Sequence, residues 1–277
     1  MMRFGERLTL LPAALLVLAM FAVPVAFVFA EAIFTPGFSL AHFDRFFSRP
    51  VYLSVYLNTL VVSAVVASIC LVIGYPMALF IVSQPPARRP LLLFLVLVPL
   101  WMSILVRTYA WMVVLGREGI INGALQWAGL TDGPLTLMFT TGAVFVAMVQ
   151  ILLPIMVITC YSIMTEIDPT LVRAARICGA SGLAAFRKVF LPLSMEGAIT
   201  GWSVIFILSM GFFIVPALVG GRRDVLLGNM IVNQVGQANW GFAGALAIIL
   251  LVSTIVLLGL VRLVMGRFVY SPREAQA

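Results

Sequence analysis

The sequence predicts an all-α membrane protein of about six transmembrane helices, forming one domain over residues 1–277 with its core at 56–266. Three observations predict it. Hydrophobic residues make up 63% of the chain and charged residues 10%, against roughly 45–50% and 25% in an average soluble domain. The mean hydropathy of +1.15 exceeds what one soluble core of this length hides. The apolar residues also fall in six runs, each near the ~20 residues a helix needs to cross the hydrocarbon core.

The first run, 8–34, follows Arg3 and Arg7. It is longer than the roughly 7–15 residues of a signal-peptide core, so an uncleaved anchor is expected rather than a cleaved signal. The second run, 56–83, contains Pro76, and the third, 91–115, contains Pro99 and Arg107. The fourth, 137–161, holds Pro154; the fifth, 197–219, holds Pro216; the sixth is 242–266. Transmembrane helices tolerate such prolines when neighbouring groups satisfy the freed backbone. No connector is long enough for a separate domain of the usual ~50 residues or more.

Basic residues set the orientation. With the N-terminus inside, Arg3, Arg7, Arg88, Arg89, Arg173, Arg176, Arg187, Lys188, Arg262, Arg267 and Arg273 are cytoplasmic, and Arg45, Arg49, Arg117, Arg222 and Arg223 are outside. Eleven against five is a positive-inside bias that puts both termini in the cytoplasm. The net charge of +7 is then topological: membrane lipid is an expected partner and nucleic acid is not. Cys70, Cys160, Cys178 and the single His42 make neither a metal cluster nor a disulfide framework. Cys70 and Cys160 read as small apolar residues, Cys178 as a packing residue and His42 as a solvated one.

The polar stretch 162–194 reads as a built loop. Asp168 suits an N-cap and Pro169 the first helical turn. Residues 170–178 suit a short helix that Gly179 caps. Ser181 starts a second short helix that Pro192 ends. The first helix carries Leu171, Ala174, Ala175 and Cys178, with Arg173 and Arg176 between them. A short amphipathic helix outside the membrane lies on lipid or docks into a partner, and pattern alone favours lipid.

The stretch R-A-A-R-I-C-G-A-S-G-L-A-A-F-R-K-V-F-L-P, residues 173–192, resembles the EAA loop of ABC importer permeases. That pattern is E-A-A, three residues, Gly, nine residues, Ile, one residue, Leu-Pro. Ala174, Ala175, Gly179, Leu191 and Pro192 fall in register, and Val189 replaces Ile. Arg173 stands where the family usually has Glu, and Glu196 stands where close relatives tend to have Pro. Four further segments resemble the spermidine/putrescine-type branch: S-I-L-V-R-T-Y-A-W (103–111), L-M-F-T (137–140), I-L-L-P-I-M (151–156) and G-G-R-R-D-V-L-L-G-N-M-I (220–231).

The resemblance implies a MetI-like type I ABC importer permease fold in a bacterial inner membrane. It implies import of polyamines or a related small amine-containing solute. The loop would be a coupling helix seated in a cytoplasmic ABC ATPase dimer. A second homologous permease would complete a heterodimer, and a periplasmic solute-binding protein would deliver the solute. No cofactor is expected on this chain, with ATP and Mg used by the partner ATPase. The residues agree that this chain is not the ATPase: a phosphate-binding loop needs Gly-Lys-[Ser/Thr], and the one Lys, Lys188, has no Gly-rich loop before it.

Intramembrane ionisable residues are functional candidates, and Arg107 stands inside the third run. It reads as a gate or paired residue, or as an interface anchor beside Tyr109 and Trp111. Arg107 and Trp111 are i,i+4 and share a helix side. No Asp or Glu lies in the second to sixth runs. A cation path would therefore use aromatic faces, carbonyls and amides, with Asn58, Tyr75, Tyr109, Trp111, Gln150 and Tyr161 as candidates. The same scarcity of acids leaves an anionic or zwitterionic solute open. A stand-alone secondary transporter or channel is the alternative, and the near absence of ionisable residues at mid-membrane counts against it.

Overall fold

The computed structural model describes residues 4–34 and 37–266, and the side chains of 12, 15–34, 37–261 and 263. Arg3, Arg267 and Arg273 of the orientation argument lie outside the described residues. The order is α1 (Phe4–Phe34), α2 (Ala41–Ser48), α3 (Pro50–Ser83), α4 (Arg89–Leu97), a 3-10 turn (Val98–Trp101), α5 (Ile104–Leu115), α6 (Ile120–Trp127), α7 (Thr141–Glu166), α8 (Pro169–Ile177), α9 (Gly182–Ala185), a π turn (Phe186–Phe190), α10 (Leu191–Met210), α11 (Ile214–Val219), α12 (Leu227–Gly236) and α13 (Trp240–Gly266). Among the described residues all regular structure is helical.

Five stretches are long and apolar enough to cross a membrane: Leu15–Phe34, Pro50–Ser83, Thr141–Glu166, Gly182–Met210 and Trp240–Val261. The expected third span is not one straight helix. Arg89–Trp101 and Ile104–Trp127 meet at 93°. Pro99 lies in the 3-10 turn, and Met102 (ψ 141°) and Ser103 (ψ 140°) are extended. A proline without an N–H, followed by two extended residues, turns the chain before α5 begins.

The expected fifth span, 197–219, is divided too. Helix α10 stops at Met210 and α11 starts at Ile214. Pro216 has no N–H for the Phe212 carbonyl four residues earlier, and with the break at 211–213 it falls in the first turn of α11, where that bond is not needed. At the other end, Pro192 was expected to end a helix and instead sits in the first turn of α10. The π turn accommodates it, with the Leu191 N–H bonded to the Phe186 carbonyl five residues back. A π turn inserts one residue and loosens the ladder where the proline ring would clash. The resulting helix carries Glu196, so this candidate span is not free of acids as the sequence reading had it.

Helix α7 starts at Thr141 rather than at 137. Thr140 Oγ1 accepts from the Ala143 N–H at 3.3 Å and donates to the Leu137 carbonyl at 2.7 Å, forming an N-cap.

The chain divides into two compact units. The first comprises residues 1–54 and 230–253. In it α1 and α13 approach through glycines: a Cβ on Gly244 would stand 2.7 Å from the Val28 carbonyl oxygen. Phe46 and Phe242 are buried. Tyr52 meets Phe242 edge-on at 5.0 Å, and the Arg45 guanidinium lies over the Phe242 ring at 4.3 Å. His42, expected to be solvated, is half-buried with its ring 6.3 Å from that of Phe242.

The second unit comprises residues 55–229 and 254–277. Its spine is α7, which buries Ala143, Val144, Ala147, Met148, Ile151, Leu152, Met156, Val157 and Cys160. Small residues let the neighbouring helices come close. A Cβ on Gly74 of α3 would meet Met156 Cγ at 2.6 Å, and one on Gly201 of α10 would meet Met156 Sδ at 2.6 Å. Met156 is approached from both sides, so moving away from one added Cβ brings it toward the other helix. Gly201→Val should therefore destabilise the fold by about 1–3 kcal/mol. Met156→Ala in the same chain should recover part of the loss, read as monodisperse protein surviving a heating step in detergent. Equal survival of Gly201→Val and the parent would refute this packing.

Candidate functional site

The loop between α7 and α10 is a defined object with caps at each turn. Asp168 Oδ1 accepts from the Thr170 N–H at 2.8 Å, and Pro169 fills the first helical position of α8. At the other end Gly179 adopts φ +88°. Its N–H bonds to the Arg176 carbonyl at 3.1 Å, and the Ala180 N–H to the Ala175 carbonyl at 3.0 Å. That pair of bonds is a Schellman cap, which needs a left-handed residue at this position. Ser181 Oγ then accepts from the Ala184 N–H at 3.3 Å to start α9.

Of the residues the pattern grouped on α8, Leu171, Ala174 and Cys178 share the exposed face and Ala175 leaves it. Ala175 and Val172 turn partly inward, while Leu171, Ala174, Ile177 and Cys178 are exposed, Ile177 at 86%. Cys178, expected to pack, is an exposed free thiol. Arg173 and Arg176 are exposed beside this apolar strip, and Leu191 and Pro192 are half-buried.

The pathway candidates do not form one cluster. Arg107 is 7% exposed, and its Nε and Nη1 have no hydrogen-bond partner among the described residues. One turn on, Trp111 Nε1 donates to Gln150 Oε1 at 3.4 Å, linking α5 to α7. Tyr109, two residues from Arg107, is 54% exposed, as residues two apart on a helix diverge. Tyr161 is half-buried, eleven residues beyond Gln150 on α7, roughly 16 Å along the axis. Asn58 Nδ2 donates to the carbonyls of Arg223 at 3.1 Å and Val225 at 3.4 Å. Tyr75 bonds Ser194 hydroxyl to hydroxyl at 2.5 Å. It lies in an apolar crevice of about 620 Å³ between α3, α10 and α13 that Trp202 also lines.

Four polar residues were not singled out in sequence. Asp224 is buried, with Oδ2 accepting from the Gly221 N–H at 2.8 Å and Oδ1 from the Thr141 hydroxyl at 2.6 Å. Asn229 Nδ2 donates to the Phe213 carbonyl at 2.7 Å, and its Oδ1 accepts from the Leu226 N–H at 3.1 Å. Thr59 Oγ1 accepts from the Leu227 N–H at 2.8 Å. Asn122 is fully buried and bonds the Gly116 and Leu135 carbonyls and the Leu135 N–H. For Asp224 the local signal was an Asp in a Gly-rich turn, where this side chain bonds nearby backbone; Thr59, Asn122 and Asn229 stand inside helices and carry no such signal.

The Asp168 cap has a pH signature. Hydrogen bonds from Thr170, through its side chain and its N–H, and then the charge of Arg173 hold the Asp168 carboxyl below its ordinary value of 3.8. A lowered folded pKa means that the cap's stabilisation is fully present above the ordinary value and is lost as pH falls through the lowered one. Amide-exchange protection of α8 should then be flat from neutral pH down to about 3.8 and decline below it. Asp168→Asn, still a good cap, should remove the decline. Protection that falls away already between pH ~7 and ~5 would refute this assignment.

A family model described as "binding-protein-dependent transport system inner membrane component" matches residues 37–270. The chain is 40% identical over 231 residues to the spermidine/putrescine transport system permease protein PotB of Escherichia coli (strain K12), covering 83% of this chain and 82% of that protein. It is 36% identical over 105 residues to the permease protein PotC of the same organism, covering 38% and 40%. Among solved structures it resembles a bacterial alginate ABC transporter in complex with its alginate-pentasaccharide-bound periplasmic protein, with TM-score 0.74 and 19% identity over 97% of this chain and 96% of that one. With a helical fold like that transporter's and a family match across most of its length, the chain belongs to the inner membrane components of binding-protein-dependent transport systems.

Proposed function

We propose that this chain is a permease subunit of an ATP-driven importer of polyamines, spermidine and putrescine being the model solutes. The observation that carries this reading is the 40% identity to PotB over 231 residues. Both termini face the cytoplasm, as the positive-inside bias supports. The loop 162–194 faces the same side, and the exposed strip of α8 seats in a cytoplasmic ATPase dimer, which binds ATP and Mg. A second permease, akin to PotC, completes a heterodimer, and a periplasmic solute-binding protein delivers the solute. Ala174 lies on the strip, Arg173 flanks it, and Ala175, Leu191 and Pro192 hold the loop against the spans. Closure of the ATPases moves α8, and the spans alternate access.

The solute path runs beside Arg107, Trp111 and Gln150. A charge at the centre of a span costs at least ~2.5 kcal/mol on insertion scales. The two unpartnered nitrogens of Arg107 find acceptors on the second permease or on pathway water. Amine recognition falls to aromatic faces, amides and carbonyls, with exposed Tyr109, half-buried Tyr161 and loop-anchoring Asn58 as the further candidates.

Proteoliposomes holding all the subunits should take up labelled spermidine with ATP, and this chain alone should neither hydrolyse ATP nor move solute. Uptake by the chain alone would favour a stand-alone carrier. Gly179→Leu strains a left-handed position by about 1–2 kcal/mol, so uptake should fall about tenfold at unchanged complex yield. Normal uptake would refute the coupling assignment. Arg107→Met should assemble normally but change receptor-stimulated ATPase activity several-fold. Parental values would make Arg107 an interface anchor.

A further inference from the structure

A cleft of about 440 Å³ opens where α3, α4 and α7 end against α8. Three guanidinium side chains line it, Arg89 from α4 and Arg173 and Arg176 from α8, together with Thr165. Phe190 and Val172 contribute to its apolar wall. Among the described residues no carboxylate lines it. Glu166 and Asp168 alternate out of the wall that Thr165, Ile167 and Pro169 form. Asp168 accepts the Thr170 N–H, and Arg173 acts on it as a nearby charge. Arg89 is oriented by its Nε bond to the Gln84 carbonyl at 2.8 Å.

Three like charges around one cleft repel each other, and the repulsion is relieved by an anion between them. Guanidinium forks match the oxygens of a phosphate and bind it through paired hydrogen bonds. The apolar wall sits where three apolar helices end, so the anion meets hydrocarbon on one side and arginine on the other. That combination describes an amphiphile better than a free ion. Arg173 is what makes the cleft cationic throughout, because an acid at this position would cancel one of its neighbours.

We infer that this cleft binds the phosphodiester headgroup of an anionic phospholipid, which ties α8 to the ends of α3, α4 and α7. The inference rests on the membrane placement of these helix ends and not on the identity of the transported solute.

The test uses the full chain in detergent, titrated with phosphatidylglycerol or phosphatidylcholine, with retained lipid counted by native mass spectrometry. One phosphatidylglycerol should be retained in clear preference to phosphatidylcholine. Arg89→Gln, Arg173→Gln and Arg176→Gln should each lower its affinity about fivefold, on the scale of one arginine near an anionic headgroup. Arg173→Glu should abolish the preference. Arg187→Gln with Lys188→Gln, exposed charges of the same loop outside the lining, should leave it intact. Because Arg173 and Arg176 are exposed on a loop helix, their variants should fold, which a monodisperse elution profile checks.

Inorganic phosphate in excess separates the sources. Retention of the lipid supports the headgroup, whereas its displacement by phosphate overturns the lipid in favour of the free anion. Equal retention of both lipids overturns the inference, as does equal loss in the Arg187/Lys188 variant. Release of the lipid on adding the ATPase pair also overturns it, because the arginines would then be the seat of a carboxylate on that partner.

Discussion

A peptide group inside a bilayer has no water to bond, so every N–H and C=O must find its partner within protein. Helices meet that demand along their length but fail where they break, and this chain breaks two of its apolar runs, at Met102–Ser103 and at Gly211–Phe213. The repair at the second break comes from far along the chain. The Phe213 carbonyl is taken by Asn229, the segment before α12 is tied to α3 through Thr59 and Asn58, and Asp224 closes the Gly221 turn onto Thr141. Thr59, Asp224 and Asn229 thus stand where irregular backbone needs a donor or an acceptor.

Close approach of the helices follows from the same solvent. Lipid tails are as apolar as leucine, so helices associate through packing rather than through expulsion of water. Gly74 and Gly201 let α3 and α10 close on Met156 of α7, and Gly197 does the same against Ile163. With α7 buried as a spine, the loop at its end joins a packed body. The caps at Asp168 and Gly179 fix both ends of α8.

The loop combines two surfaces with different chemistry. On one side Leu171, Ala174 and Ile177 are exposed; on the other Arg173 and Arg176 share a cleft with Arg89. Exposed apolar residues and clustered like charges are both unfavourable in isolation. Their presence on one short helix fits a part that works between a membrane surface and a protein partner.

Composition and run length by themselves determined that the chain is helical and membrane-spanning, because no other arrangement hides so many apolar residues and satisfies the backbone. The caps of α8 were also legible, since Asp-Pro and Gly act through bonds only a few residues long. Tertiary structure decided the rest. Hydropathy sees Pro99 and Pro216 as interruptions but cannot say whether a helix bends, stops or continues, and Pro192, the same residue type, is carried through on a π turn. Nor could periodicity choose which residues of α8 face outward, because its neighbours Val82 and Arg89 on α3 and α4 lie tens of residues away. The candidates Asn58, Tyr109, Trp111, Gln150 and Tyr161 were chosen by chemistry alone. Only packing separates the Trp111–Gln150 pair from an exposed tyrosine and a loop-anchoring asparagine, since partner identity depends on contacts up to 167 residues apart in sequence.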